Sequence, residues 1–420
     1  MRGRRVKVPS LLGDMPASLG GGALSLRGED TGRRRFLFVV PPLVGHINPT
    51  VALAAELTSR GHRVAWAGHR ETLEPLLRPG SRIYPAEDPE LTAKLQDARR
   101  EWLGLRGPAA LKFLWEEFIV PLGHAMMPGV EAAIDRFRPD AIICDQQALA
   151  GPVAARLNDV PWVTSATTSA EFTRPLAAMP LVEEWVREQI GDFQLDYEIE
   201  DLLDLRFSDH LVLVFSTAAL MGDTSFFPDH FAFIGPALGR PAAGAAADFP
   251  WEWLDGKRPA VLVSLGTVNG EAGERFFRVA AEAVADLDVQ AVFVAPEGVL
   301  PDPPDNILVR PHVPQLKVLE RMSAVVTHGG HNTVCESLAH GLPLVVAPIR
   351  DDQPIIARQV EGAGAGLTVR FARASAGELA EALFEVLTED SFTEAAERVR
   401  ASFAAAGGAA EAADRLEKLT

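Results

Sequence analysis

Cysteine is nearly absent. Cys144 and Cys335 are the two cysteines in 420 residues, far apart in sequence and both among apolar neighbours. They make no disulfide framework and no CxxC metal or redox pair, and a reducing cytoplasm suits such a chain. Positive charge is not in excess either. The formal net charge of −17 repels a phosphate backbone on average, which excludes nucleic acid as an expected partner. Long apolar runs are also missing, and none approaches the roughly 18 residues that read as a membrane span. What remains is an ordinary globular composition, 47% hydrophobic and 23% charged, which sets aside disorder, collagen and coiled coil. At roughly 100 to 200 residues per domain, the length points to two domains.

The first residues are expected to be a mobile tail, 1–34. Arg2, Arg4, Arg5 and Lys7 open it, but Asp14, Pro16 and a glycine run stand where a signal peptide needs a continuous apolar stretch. A targeting role is the lesser alternative. After the tail, short apolar runs alternate with helical patterns. FLFVV at 36–40 leads into PPLVGHINP, where Asn48 and Pro49 read as a helix start for 50–59. RVAWA at 63–67 completes a β-α-β unit. Strands at 141–144, 162–164 and 211–216 and a helix at 148–157 extend the series, with a looser region up to about Asp209. From 236 to 250 the chain is rich in Pro, Gly and Ala without periodicity, as a linker is. A second series of strands follows at 260–265, 290–295, 307–309, 324–327 and 344–347. The expected fold class is α/β, with two Rossmann-like doubly wound domains, 35–235 and 251–420, facing across a cleft. The last helix is placed to pack back on the first domain. Open parallel sheets bind ligands outside the carboxyl ends of their strands, so the cleft is the expected site.

The segment 312–353, HVPQLKVLERMSAVVTHGGHNTVCESLAHGLPLVVAPIRDDQ, carries the strongest signal. The strand AVVT delivers His328, Gly329 and Gly330 to a helix running through Glu336 to about His340. Free N–H groups and the helix dipole favour an anion there, and glycines let the backbone come close to it. Asn332 and Thr333 add side-chain donors, and Glu336 lies one turn on, where a carboxylate can accept from a vicinal diol such as a ribose. Taken alone, HGGHN reads equally as a tight strand-to-helix turn with a cap.

Taken together, VPQ, HGGHN followed by T and E, GxP and the closing DQ resemble the donor-binding signature of family 1 nucleotide-sugar glycosyltransferases, whose two-domain architecture is called GT-B. The resemblance covers roughly residues 36–410 and implies a bacterial macrolide or natural-product type of enzyme. It implies that His328 and Gly330 meet the diphosphate with support from Asn332 and Thr333, and that Glu336 binds the ribose. Asp352 and Gln353 would bind sugar hydroxyls and Gln315 would lie by the base. His312 stands where the family often has Trp, which leaves UDP and dTDP both open. VLVSLGT at 261–267 resembles the first strand and phosphate-facing loop of the family's C-terminal domain, which adds Gly266 and Thr267; as a bare motif it is a turn.

In the first domain the GHxxP pattern resembles the family's catalytic histidine, here His46, and Asp145 after AIIC matches its partner carboxylate. Bottom-up, a lone loop histidine is usually structural and a strand-end carboxylate is often a helix cap. The resemblance implies that His46 deprotonates an acceptor hydroxyl and that the transfer inverts configuration. It implies no metal and no cofactor beyond the nucleotide sugar as co-substrate. Asp286, Leu287 and Asp288 spell DxD but sit where a solvated turn is expected.

The acceptor side is weakly marked. Trp115 and Met126 fall in an apolar region that reads mainly as helical core, and Phe172 lies in the looser region; these are the candidates for a lipophilic acceptor. A polyketide, a phenol or a carotenoid hydroxyl all fit. Oligomeric state stays open, a homodimer included. The competing functions are a GT-B epimerase, against which Asp145 with His46 argues, and a catalytically silent partner-binding homologue, against which the presence of His46 and of the 328–336 set argues.

Overall fold

A computed structural model describes residues 32–88, 105, 107–169, 172, 179–239, 249–266 and 273–420. The tail expected at 1–34 therefore lies almost wholly outside the described residues, as do Thr267 and the middle of the linker, 240–248.

Two parallel sheets organise the chain. The first holds β1 (Arg35–Val39), β2 (Arg63–Gly68), β3 (Ile83–Pro85), β4 (Ala141–Asp145), β5 (Trp162–Ala166), β6 (Val212–Val214) and β7 (Phe231–Phe233), in the order β3-β2-β1-β4-β5-β6-β7. The second holds β8 (Ala260–Ser264), β9 (Gln290–Val294), β10 (Ile307–Arg310), β11 (Ala324–Thr327), β12 (Leu344–Val346) and β13 (Gly366–Thr368), in the order β10-β9-β8-β11-β12-β13. Both have helices on each face, which explains the near-continuous apolar runs. In β1, Phe36 and Phe38 pack into one core and Leu37 and Val39 into the opposite one; in β8, Val261 and Val263 oppose Ala260 and Leu262.

Each order reverses once, between β1 and β4 in the first sheet and between β8 and β11 in the second. At these switch points the connections leave in opposite directions and open a crevice at the carboxyl ends.

Several expectations need correction. The helix after β1 runs Val44–Ser59 and contains Pro49, so His46 sits in its first turn rather than in a loop. Proline inside a helix deprives the carbonyl four residues back of its N–H partner. Here that carbonyl is Gly45, and Asn332 Nδ2 from the second domain donates to it at 2.8 Å. The region read as loose contains a helix, Pro180–Leu195. Strands β3, β7 and β13, of three residues each, were not expected.

The chain crosses between the domains twice. After β7 it passes to the second sheet, and after the helix Asp390–Ala406 it turns through Gly407 (φ 85°) and Gly408 (φ 55°) into the helix Gly408–Leu419. Ala412, Ala413 and Leu416 of that helix join the core of the first domain. Arg60 bonds Asp414 at 2.5 Å and Glu417 at 3.1 Å, and His62 meets Glu417 at 2.8 Å. Gly408 N donates to Ile234 O at 2.7 Å, so the two crossings lie side by side.

Candidate functional site

Both switch points carry a histidine. At the first, the Val44–Ser59 helix brings His46 over the end of β4, where Nδ1 lies 2.9 Å from Asp145 Oδ2 and 3.0 Å from Oδ1. Asp145 is 1% exposed, and a buried carboxylate needs partners. It has three, because Gln147 N donates to Oδ1 at 2.9 Å and Thr167 Oγ1 donates to Oδ2 at 2.9 Å. Burial pushes the His46 ring toward neutrality, but the Asp145 charge, its hydrogen bond and the more distant Asp352 outweigh it, so the pKa is raised above 6.5. With Nδ1 facing the carboxylate, Nε2 is the nitrogen left for a substrate proton.

At the second switch point, β11 ends at Thr327 and His328 follows it, beside Gly266, two residues past the end of β8. Gly266 has φ 70°, and a Cβ on it would stand 2.6 Å from His328 Cε1. One on Gly330 would stand 2.6 Å from Nε2. The ring is thus clasped by two positions where only glycine fits. His328 is 8% exposed, and burial drives its pKa down to about 4 despite Asp352 and a hydrogen bond to the Ser264 backbone. It is neutral at pH 7. The helix His331–Ala339 follows, and Gly330 at its N-cap provides no side-chain cap, leaving the first backbone N–H groups for another acceptor. Thr333 is half-buried on that first turn.

Further along, Glu336 Oε2 accepts from Gln315 Nε2 at 2.5 Å, which brings two predicted residues together. Burial raises the Glu336 pKa, and the Gln315 bond opposes that. Asn48, Asn332, Glu336 and Leu316 line a cavity of about 210 Å³ between the domains. Asp352 stands at the N-terminal boundary of the helix Gln353–Ala363 without capping it, and accepts from Thr168 Oγ1 at 2.7 Å across the cleft. Gln353 is buried, and its Oε1 accepts from the backbone N–H groups of Ile349 and Arg350, so this oxygen holds the loop. His312 is exposed at the foot of the loop leading to Gln315.

The acceptor candidates need correction. Trp115 and Met126 are packed into the first domain's core, and Phe172 sits among Phe207, Phe227, Phe231 and Phe233. All three are buried, and none lines the cavity between the domains. The Asp286–Asp288 stretch is a turn after the helix Glu274–Ala285, and among the described residues no group of His, Cys, Asp and Glu is arranged to hold a metal ion.

Residues 230–402 match the family described as UDP-glucoronosyl and UDP-glucosyl transferase. The uncharacterized UDP-glucosyltransferase YojK of Bacillus subtilis (strain 168) is 30% identical over 398 residues, covering 89% of this chain and 95% of that protein. The chain belongs to this family. Demethyllactenocin mycarosyltransferase of Streptomyces fradiae is 28% identical, with 91% of this chain and 86% of that one aligned. The crystal structure of the glycotransferase of kitacinnamycin superposes with a TM-score of 0.75 at 26% identity, covering 92% of this chain and 99% of that one. The protein is a glycosyltransferase of GT-B fold.

For this glycosyltransferase, Thr167 and Thr168 are the residues that sequence reasoning missed. They follow β5, the neighbour of β4, and reach the His46–Asp145 pair and Asp352 respectively. A pair of hydroxyl residues at the carboxyl end of a strand adjoining the switch point was the available signal. No helix among the described residues is long and apolar enough to cross a membrane.

Proposed function

We propose that the enzyme transfers a hexose from UDP-glucose or a dTDP-sugar to a hydroxyl of a small lipophilic natural product, with inversion and without a metal or other cofactor. The observation that carries this reading is the meeting of the two switch points. The His46–Asp145 pair and the helix start at Gly330 are joined by the Asn332–Gly45 and Thr168–Asp352 bonds, so a base and an anion-binding backbone face one crevice.

In this reading the diphosphate rests on the N–H groups of the His331–Ala339 helix beside neutral His328, with Thr333 and, once it leaves Gly45, Asn332. Gly266 faces the same phosphates. Glu336 takes the ribose hydroxyls, with Gln315 and His312 toward the base. Asp352, and the amide nitrogen of Gln353, take the sugar. His46 Nε2 removes the acceptor proton as the acceptor oxygen attacks the anomeric carbon. The bond from that carbon to the diphosphate oxygen breaks on the opposite face, which inverts configuration. Asp145 stabilises the imidazolium, and the helix end stabilises the leaving charge. The names of relatives support natural products as acceptors, one transferring mycarose and one belonging to kitacinnamycin. The two buried free cysteines suit a cytoplasmic setting.

The test is a thermal-shift panel of UDP, dTDP and UDP-glucose in chelator, on wild type and His328→Ala. Stabilisation by one nucleotide that the variant loses supports the donor site and selects the base. No response to any of them removes the reading. NMR of the product then reports inversion, and sugar isomerisation without an acceptor indicates the epimerase instead.

A further inference from the structure

The amino ends of β1, β2 and β3 lie at the opposite edge of the first sheet from His46 and Asp145. A cavity of about 370 Å³ opens there. Trp66, Leu77 and Phe137 give it an apolar lining, and all three are buried residues of the domain core. Four exposed arginines, Arg33, Arg63, Arg78 and Arg82, line it as well, and no Asp or Glu does.

In a chain of net charge −17, carboxylates were available to neutralise such a cluster. Arg60 sits on Glu56, Asp414 and Glu417, Arg206 on Asp204 and Glu183, and Arg415 on Glu411. Among the described residues none of the four cavity arginines has an ion-pair partner. Arg63 instead places its guanidinium carbon 5.9 Å from the centre of the Phe137 ring. Four like charges around one concavity repel one another, and an anion placed among them relieves that repulsion. Guanidinium forks match the paired oxygens of a phosphate or carboxylate, and the aromatic and aliphatic lining matches an apolar body.

We infer that this cavity binds an anionic amphiphile, its phosphate or carboxylate head held by Arg33, Arg63, Arg78 and Arg82 and its apolar part against Trp66, Leu77 and Phe137. The head can belong to a soluble metabolite or to a lipid at a membrane surface, and the chemistry is the same. The site does not depend on the transferase reading, since none of Arg33, Arg63, Arg78, Arg82, Trp66, Leu77 and Phe137 lines the cavity between the domains.

Octyl phosphate, inorganic phosphate and octanol are titrated calorimetrically into the full chain, and vesicles of phosphatidylcholine with and without phosphatidic acid are tested by flotation. Octyl phosphate is expected to bind at least about tenfold more tightly than either fragment, and Arg63→Gln with Arg82→Gln to weaken it at least about tenfold at an unchanged unfolding temperature. If that pair misfolds, Arg33→Gln with Arg78→Gln serves. Arginine-dependent flotation with phosphatidic acid assigns the head to a lipid surface, and octyl phosphate binding without flotation assigns it to a soluble ligand; either supports the site. If neither octyl phosphate nor the anionic vesicles bind, if the fragments bind as well as octyl phosphate, or if the Gln variants bind like wild type, the inference is wrong.

Discussion

His46 and His328 stand at corresponding places, one at the switch point of each sheet, and their surroundings push them in opposite directions. His46 is half-buried against a carboxylate, and its pKa is raised. His328 is buried between two glycines, and its pKa falls to about 4. The fold delivers a side chain to the same kind of edge twice. Its neighbours then decide whether the ring readily takes a proton or stays neutral. The proposed mechanism uses the first imidazole as a base and sets the second beside the phosphates.

The comparison breaks most sharply if the base is removed. His46→Ala is expected to lower kcat by about 10² to 10⁴ while nucleotide stabilisation in a thermal shift is retained, since a positioned general base contributes that much. Loss of nucleotide binding alongside kcat would place His46 in the donor site instead. Next in size, Gly330→Ala or His328→Ala is expected to weaken UDP or dTDP binding about ten- to a hundredfold by calorimetry, the worth of a hydrogen bond to a charged group. An unchanged affinity would mean that the phosphates lie elsewhere.

pH sharpens the contrast. A base must be deprotonated to act, so kcat/KM is expected to fall as pH drops through a value above 6.5, the His46 pKa being raised by Asp145. Asp145→Asn removes that cause and moves the limb to lower pH; a limb that stays put would show that another group titrates. His328 works the other way on stability. Above pH 6.5 both folded and unfolded forms are neutral, and between 6.5 and about 4 only the unfolded chain takes the proton. Stability is therefore lost as pH falls through that window, by about 3 kcal/mol for a shift of this size, and urea titrations of His328→Asn without ligand should show a flatter slope. The smallest effect is expected from Thr167→Val, which removes one hydrogen bond from Asp145 worth about 1 kcal/mol and should cost no more than about tenfold in kcat.

Much of this contrast was legible before the structure. The buried strands β1, β2, β4, β8, β9 and β11 read as apolar runs because both faces are covered, and the motif residues at their ends could be named. The three-residue edge strands were invisible because so short a run carries no periodicity. Pro49 misled because a proline usually opens a helix, and the compensation for its missing N–H comes from Asn332, 283 positions further along the chain. Thr167 and Thr168 were hidden for a similar reason. Their meaning depends on β5 lying beside β4 and on the second domain's Asp352, neither of which is local in sequence. Trp115, Met126 and Phe172 show the converse, since aromatic and Met side chains mark cores far more often than pockets.

The paired crossings at Ile234 and Gly408 act on the two domains as a spine acts on a book. A single connection would let one half swing and twist freely about the other. Two connections held edge to edge leave chiefly one motion, a rotation about the line they define, with the torsion changes concentrated in a few residues around Gly235, Gly407 and Gly408. Whenever the cleft shuts without a donor, Asn332 can thus meet Gly45 and Thr168 meet Asp352 in the same register each time.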